Sequence, residues 1–161
     1  MKSKTIITIG ALVLAGGLAW NKYRNHTVIP DLPFFSQVIS DESGREISGS
    51  GFKGKYILVS YFQSWCGDCA RELPSIQRLS DQIGKEKLEV VLISDEDFQK
   101  INAFKDKFNS DLAFFQYKES LKKQGISVYP TTYLIDPKGK IIMSKLEGFD
   151  WASKEVLQII Q

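Results

Sequence analysis

Two cysteines separated by two residues are the side chains of this sequence best suited to covalent chemistry. Cys66 and Cys69 lie in the run W-C-G-D-C, and the chain contains no other cysteine. If Cys66 caps a helix, its sulfur faces unpaired backbone N–H groups and the positive end of the helix dipole, which both favour the thiolate. The same turn brings the Cys69 sulfur within bonding distance. The spacing predicts that Cys66 attacks a partner's disulfide and that Cys69 resolves the mixed disulfide.

Structural and metal-binding roles for this pair are less favoured. A disulfide across two intervening residues closes too small a loop to stabilise a fold much. A tetrahedral zinc site needs two further ligands, and the only histidine, His26, lies far from the pair in the sequence. We therefore predict no metal, and no cofactor beyond a redox-active Cys66–Cys69 disulfide. A module that holds a soft cation between two thiolates is the alternative from another functional class.

The residues around the cysteines predict a strand, then the pair, then a helix. Residues 56–62 (Y-I-L-V-S-Y-F) are nearly all apolar, which is typical of a strand buried on both faces of a sheet. Residues 70–83 carry apolar side chains at helical spacing. Pro74 is expected to kink this helix, and Gly84 is expected to end it.

The rest of the sequence predicts an α/β sheet with helices on both faces and an antiparallel edge. Ser94 or Asp95 is expected to cap a second helix that runs to Phe108. The other predicted elements are a hairpin of residues 34–39 and 45–47, strands 88–93 and 112–115, a short helix 119–124, a hairpin of 131–135 and 140–143, and a final helix 153–160.

The N-terminal residues predict a membrane segment. Residues 6–20 carry no charge and are flanked by basic residues on both sides. We predict a signal-anchor in residues 1–24, a tether in 25–32 and a folded domain in 33–161. A secretory signal that is cleaved to release the domain is the alternative, and both interpretations export the domain.

The charge balance argues against nucleic acid as a partner. The chain has 161 residues and a formal net charge of only +2. Four of its basic residues lie in the first 26 residues, where there is no acidic residue. The predicted domain therefore lacks the basic field that nucleic-acid binding requires.

Several motifs together resemble the thioredoxin superfamily, and most closely its membrane-anchored, extracytoplasmic branch that includes the TlpA and ResA proteins. They are Gly54-Lys55 before the buried strand, W-C-G-D-C, R-E-L-P at 71–74, Y-P-T-T-Y-L-I-D at 129–136, and Gly148. The resemblance covers roughly residues 33–161 and implies a thioredoxin-like fold, a central mixed β-sheet flanked by helices. It also implies a cis Pro130 that faces the cysteines and a substrate-binding surface formed by Trp65, Tyr129, Pro130 and Thr131.

Glu72 lies one helical turn beyond Cys69, and similar proteins of this branch carry a glutamate there. The resemblance implies that a partly buried Glu72 relays the proton of the second thiol. A solvated glutamate on the helix surface is the alternative, and Arg71 is placed to neutralise it. Thioredoxin has a buried aspartate in the preceding strand, whereas this chain has Ser60 there.

These features predict an extracytoplasmic thiol–disulfide oxidoreductase that is anchored in the membrane and faces the periplasm or the extracytoplasmic space. By resemblance, its expected substrates are oxidised exported proteins, including apocytochrome c, and its electrons come from a membrane thiol-transfer reductant. Asp68 between the cysteines opposes the thiolate, which favours a reducing enzyme over an oxidant. An oxidase that donates its disulfide is the alternative within this class. A peroxide reductase is less favoured because of the close cysteine spacing.

Overall fold

A mixed sheet of seven strands organises residues 33–160, the part of the chain that this computed structural model describes. The strands are β1 (Val38–Ser40), β2 (Glu46–Ser48), β3 (Tyr56–Tyr61), β4 (Leu88–Ser94), β5 (Phe114–Gln116), β6 (Thr131–Ile135) and β7 (Ile141–Leu146). The α-helices are α1 (Gly67–Ile83), α2 (Phe98–Lys107) and α3 (Lys154–Ile160), and short 3-10 helices span Pro33–Ser36, Gly49–Phe52 and Leu121–Gln124.

The sheet has the order β2-β1-β5-β4-β3-β6-β7. Strands β3, β4 and β5 are parallel, so their carboxyl ends lie at one edge of the sheet. The flanking strands β6 and β1 run antiparallel to β3 and β5, and each pairs with an antiparallel outer strand. Because α1 begins six residues after β3 ends, the cysteine pair lies at the edge where the parallel strands end.

Both faces of the sheet are covered, which explains why β3 is almost wholly apolar. One hydrophobic cluster packs all three α-helices against Leu58 and its neighbours, and it includes Ile76, Phe104 and Val156. The other cluster contains side chains from the 3-10 helices and loops, packed on Ile57, Val59 and Tyr61. The predicted mixed sheet with flanking helices is therefore confirmed, although one face is covered by 3-10 helices rather than α-helices.

The N-terminal strand differs from its prediction. Residues 34–36 belong to a 3-10 helix, and β1 begins only at Val38. Proline suits the first position of a helix because its fixed φ matches and its missing N–H has no partner to lose. The backbone N–H of Gln37 bonds the carbonyl of Phe34 at 3.1 Å, which ends the turn. The aromatic residues of this segment thus fill the core from a helical turn.

The cap of α2 also differs from its prediction. Asp97 is the N-cap, and its carboxylate accepts a hydrogen bond from the backbone N–H of Lys100 at 3.0 Å. Neither Ser94 nor Asp95 caps this helix. The prediction was wrong because a second carboxylate nearer the helix start satisfies the free N–H groups. Helix α1 continues through Pro74 to Ile83.

The predicted signal-anchor (1–24) and tether (25–32) lie outside the described residues. Among residues 33–160, none of the helices is both long enough and apolar enough to span a membrane.

Candidate active site

The first cysteine is the N-cap of α1, as the sequence predicts. Cys66 has an extended backbone (φ −79°, ψ 113°), and its sulfur accepts a hydrogen bond from the backbone N–H of Cys69 at 3.2 Å. This bond satisfies one of the N–H groups that the first helical turn leaves free. Cys66 Sγ also donates to the carbonyl oxygen of Tyr129 at 3.4 Å. The first thiol is therefore held between the helix start and the loop before β6.

The second cysteine is buried under the first. Both thiols are free, and Cys69 is almost wholly buried. Burial raises the pKa of the Cys69 thiol, and its hydrogen bond with Cys66 and the nearby charges of Cys66 and Glu72 raise it further. A thiol of this kind stays protonated at neutral pH, so it needs a base before it can act as a nucleophile.

Glu72 is buried beside Cys69, with only 2% of its surface exposed. Its carboxylate accepts hydrogen bonds from Trp151 Nε1 at 2.5 Å, Thr132 Oγ1 at 3.0 Å and Ser60 Oγ at 3.4 Å. Burial raises the pKa of Glu72 to about 7, against these hydrogen bonds, which lower it. A carboxyl with this pKa exchanges protons near neutral pH.

The alternative of a solvated Glu72 is excluded by this burial. Arg71 does not neutralise Glu72, because its guanidinium pairs with the carboxylate of Asp68 at the surface. The cost of burying the Glu72 carboxylate is therefore offset by neutral hydrogen-bond donors and not by a cation. Its role as a proton relay remains a prediction.

A small cavity adjoins both groups. It is about 10 Å³ in volume, and its lining includes Ser60, Cys69 and Glu72 among apolar side chains such as Leu73 and Phe114. This volume is near the lower limit for a single water molecule. The acid and the thiol therefore line the same small cavity.

The predicted substrate-binding residues lie next to the first thiol. The Tyr129–Pro130 peptide bond is cis, as the resemblance implies. Trp65 is 73% exposed, and its ring meets the Tyr129 ring edge-on at 6.1 Å between centroids. Thr131 is buried, and its hydroxyl donates to the carbonyl of Val128 at 2.6 Å. The side chain of Thr131 is therefore turned away from the surface, and its assignment to substrate binding stays a prediction.

Three polar partners of Glu72 were not among the predicted site residues. Thr132 and Ser60 also bond each other at 2.8 Å, which ties β6 to β3 below the carboxylate. Thr132 belongs to the Y-P-T-T-Y-L-I-D run that carries the resemblance, so the sequence contained a signal for it. Trp151 lies 79 residues from Glu72, and no sequence pattern indicated that contact.

Two carboxylates after β4 hold the loop that precedes Cys66. Glu96 accepts hydrogen bonds from the backbone N–H of Ser64 at 2.5 Å and from its hydroxyl at 2.9 Å. Asp95 accepts from Gln63 Nε2 at 2.6 Å and from the backbone N–H of Leu121 at 2.9 Å. Asp95, which was predicted to cap a helix, instead connects three segments by hydrogen bonds at the edge of the sheet where the cysteines lie.

The fold and this site define a thioredoxin-like thiol–disulfide oxidoreductase. A dithiol at a helix start, a cis proline opposite it and a buried carboxyl group occur here on a mixed sheet. The thioredoxin domain of a thiol-disulfide oxidoreductase from Bacteroides vulgatus has the same fold, with a TM-score of 0.71, 21% identity, and coverage of 84% of this chain and 99% of that one.

The chain belongs to the AhpC/TSA family, which matches residues 29–144. It is 27% identical over 153 residues to the thioredoxin-like protein YneN of Bacillus subtilis, covering 88% of each chain. It is 26% identical over 141 residues to the thiol-disulfide oxidoreductase ResA of Bacillus cereus, covering 81% of this chain and 80% of that protein. These comparisons confirm the predicted resemblance and the predicted class of enzyme.

Proposed function

We propose that this enzyme reduces disulfides in exported proteins, with Cys66 as the attacking thiol, Cys69 as the resolving thiol and Glu72 as the base. The observation that carries the proposal is the buried carboxyl of Glu72 beside the buried thiol of Cys69. A base with a pKa of about 7 suits proton transfer at neutral pH. The cofactor required is the dithiol itself.

The reaction conserves thiols and disulfides at each step. The Cys66 thiolate attacks one sulfur of the substrate disulfide, and the other sulfur leaves as a thiolate. Glu72 then takes the proton of Cys69, whose thiolate attacks Cys66 and releases the second substrate sulfur. Two electrons have moved to the substrate, and the enzyme holds a Cys66–Cys69 disulfide. A membrane thiol-transfer reductant restores the dithiol.

The proposed location is outside the cytoplasm, on the periplasmic or extracytoplasmic side of the membrane. The uncharged run at residues 6–20 with its basic flanks supports an anchor in residues 1–24 and a tether in residues 25–32 before the domain. A secreted form released by signal cleavage is the alternative. Oxidised exported proteins, with apocytochrome c among them, are the proposed substrates.

We propose that the substrate binds at the surface formed by the groups near Cys66. Trp65 and Tyr129 supply an aromatic wall, and the backbone beside Pro130 is placed to pair with an extended segment. The exposed side chain of Val128 extends this apolar surface. A disulfide carried on an extended chain would reach Cys66 along this wall.

Insulin reduction by the purified protein tests the activity. We expect catalysis by the wild-type protein and none by Cys66→Ser, whereas Cys69→Ala should accumulate mixed disulfides that identify the partners. A reduction potential near that of thioredoxin, about −270 mV, supports a reductase, and a value near −120 mV would show an oxidase. Tight 1:1 metal uptake without insulin reduction would favour the metal-binding alternative, and rapid peroxide consumption would favour a peroxidase.

A further inference from the structure

The sheet opens between β1 and β5 into a groove. The two strands are paired at one position only, Ser40 with Gln116. Beyond this pair they separate, and a space of about 500 Å³ lies between Val38 on one side and Lys118 on the other. We refer to this space as the β1–β5 groove. Its volume is within the range of known ligand sites.

The backbone of Val38 faces this groove. The carbonyl of Gln37 accepts from Gly49, and the N–H of Asp41 donates to Arg45, so residues 37 and 41 bond toward β2. Backbone groups of successive residues in a strand point to opposite sides. The N–H and C=O of Val38 therefore point away from β2. Antiparallel register would pair Val38 with Lys118, and this pair is not formed among the described strand pairings.

A buried amide without a partner also lines the groove. Gln37 is only 4% exposed, and its Oε1 accepts from the hydroxyl of Tyr61 at 2.7 Å. Its Nε2 has no hydrogen-bond partner within residues 33–160. Buried donors in native proteins are nearly always paired, because an unpaired one loses its hydration without compensation. Gln37 therefore marks the floor of the groove, where the fold leaves a buried polar group unpaired among residues 33–160.

The charge of the groove is negative. Lys118 is paired with Glu46 at 2.7 Å between Nζ and Oε1. Glu119 also lines the groove and has no ion-pair partner among residues 33–160. Burial, and then the charge of Glu119, raises the pKa of Tyr117. A basic side chain would neutralise this excess, whereas an acidic one would be repelled.

The groove lies at the same edge of the sheet as the cysteine pair. It adjoins the carboxyl end of β5, and Cys66 follows the carboxyl end of β3 two strands away. Neighbouring strands are about 4.8 Å apart, so β5 and β3 are separated by about 10 Å. A single protein partner can therefore contact both places.

We propose that the β1–β5 groove binds an extended, basic segment of the protein partner by strand pairing with the backbone of Val38. The inference rests on the proposed function for the identity of the partner only. The groove would add affinity for whole proteins over small disulfides, because it contacts main chain distant from the reacting sulfur.

Binding of a labelled peptide to the full-length protein tests this. The probes are two fluorescent, cysteine-free hexapeptides, one alternating Thr with Lys and the other Thr with Glu, and the readout is fluorescence anisotropy. We expect saturable binding of the basic peptide and at least tenfold weaker binding of the acidic one. Equal affinities, or no saturable binding of either peptide, would overturn the proposal.

Two variants locate the peptide. Val38→Pro removes the groove-facing N–H of this edge position and should weaken binding at least tenfold, whereas the matched Val38→Ala keeps the N–H and should bind within twofold of wild type. Glu119→Lys, on the surface of the groove, should reverse the preference toward the acidic peptide. If either variant is correctly folded and binds both peptides as the wild type does, the proposal is refuted. The second variant provides the test if the first one folds poorly.

Cys66→Ser separates this inference from the enzyme's proposed activity. The peptides contain no sulfur, so Cys66→Ser should bind them as the wild type does. If the wild type binds the peptide but does not reduce insulin, the proposed function is refuted and the proposed role of the groove stands. Loss of peptide binding with intact insulin reduction would refute the groove and leave the function.

Discussion

Glu72→Gln should remove a large pH dependence of stability. The pKa of Glu72 in the folded protein is about 7, against an ordinary value of 4.5. A carboxyl whose pKa rises on folding binds its proton more tightly in the folded state. The stabilisation that protonated Glu72 contributes is therefore fully present below about pH 4.5 and is lost as the pH rises toward 7. Above pH 7 this loss is complete and the curve levels.

The size of the effect follows from the two pKa values. A difference of one pKa unit is worth about 1.4 kcal/mol, so the rise from 4.5 to about 7 costs roughly 3 kcal/mol at pH 8. Glutamine carries no charge and is close in shape. Its oxygen can accept from Trp151, and its amide can donate to Ser60 or Thr132, whose hydroxyls can serve as donor or acceptor.

Guanidinium unfolding at pH 4 and pH 8, with the thiols kept reduced, measures this. The difference in unfolding free energy, Glu72→Gln minus wild type, should be about 3 kcal/mol larger at pH 8 than at pH 4, because the variant is relatively more stable at pH 8. Glu86→Gln is the control, because Glu86 is an exposed glutamate in a turn. If Glu72→Gln shows the same pH dependence as wild type, the buried carboxyl is not the group that titrates.

Three further substitutions, one of them with a matched control, test the site and the fold. Trp151→Phe removes a hydrogen bond that lowers the pKa of Glu72, so the carboxyl should titrate above pH 7 when followed by NMR; a lower value would contradict this. Gly49→Ala places a Cβ 1.9 Å from a backbone carbonyl oxygen and should cost about 1–3 kcal/mol of unfolding free energy. Gly51→Ala meets no atom within 4 Å and should be nearly neutral, so equal losses would refute the clash. Asp97→Ala loses the cap of α2 and should cost about 1 kcal/mol, and no change in denaturant midpoint would show that another group caps it.

The cysteine pair was predictable because its geometry is local. A strand, a tight turn and a helix within a short run of sequence fix Cys66 at the helix start, and the helical rise fixes Cys69 beneath it. The same holds for the hairpin of β6 and β7, whose turn is set by Asp136 and Gly139. Features that depend on neighbours within a few residues are readable from the sequence.

The burial of Glu72 was not predictable in this way. On the helix alone, a glutamate one turn beyond Cys69 is as consistent with solvent as with the core. The structure decides the matter through Thr132 and Trp151, which lie 60 and 79 residues away. The strand predicted at 34–39 failed for a similar reason, because two adjacent phenylalanines pack from a 3-10 turn as readily as from a strand.

The placement of the proposed base, Glu72, on α1 rather than on β3 has a consequence for the proposed reaction. Cys69 and Glu72 share one helix, so their spacing is fixed by helical geometry and does not depend on how the helix packs on the sheet. The proton affinity of Glu72 is instead set by its burial and by three donors outside α1, which are Trp151 in the loop before α3 and Thr132 and Ser60 on two adjacent strands. Geometry and acidity of the base are therefore set by different parts of the fold. Substitutions at these donors should change the pH at which the Cys69 thiol is deprotonated, without changing the position of Cys69 relative to Cys66.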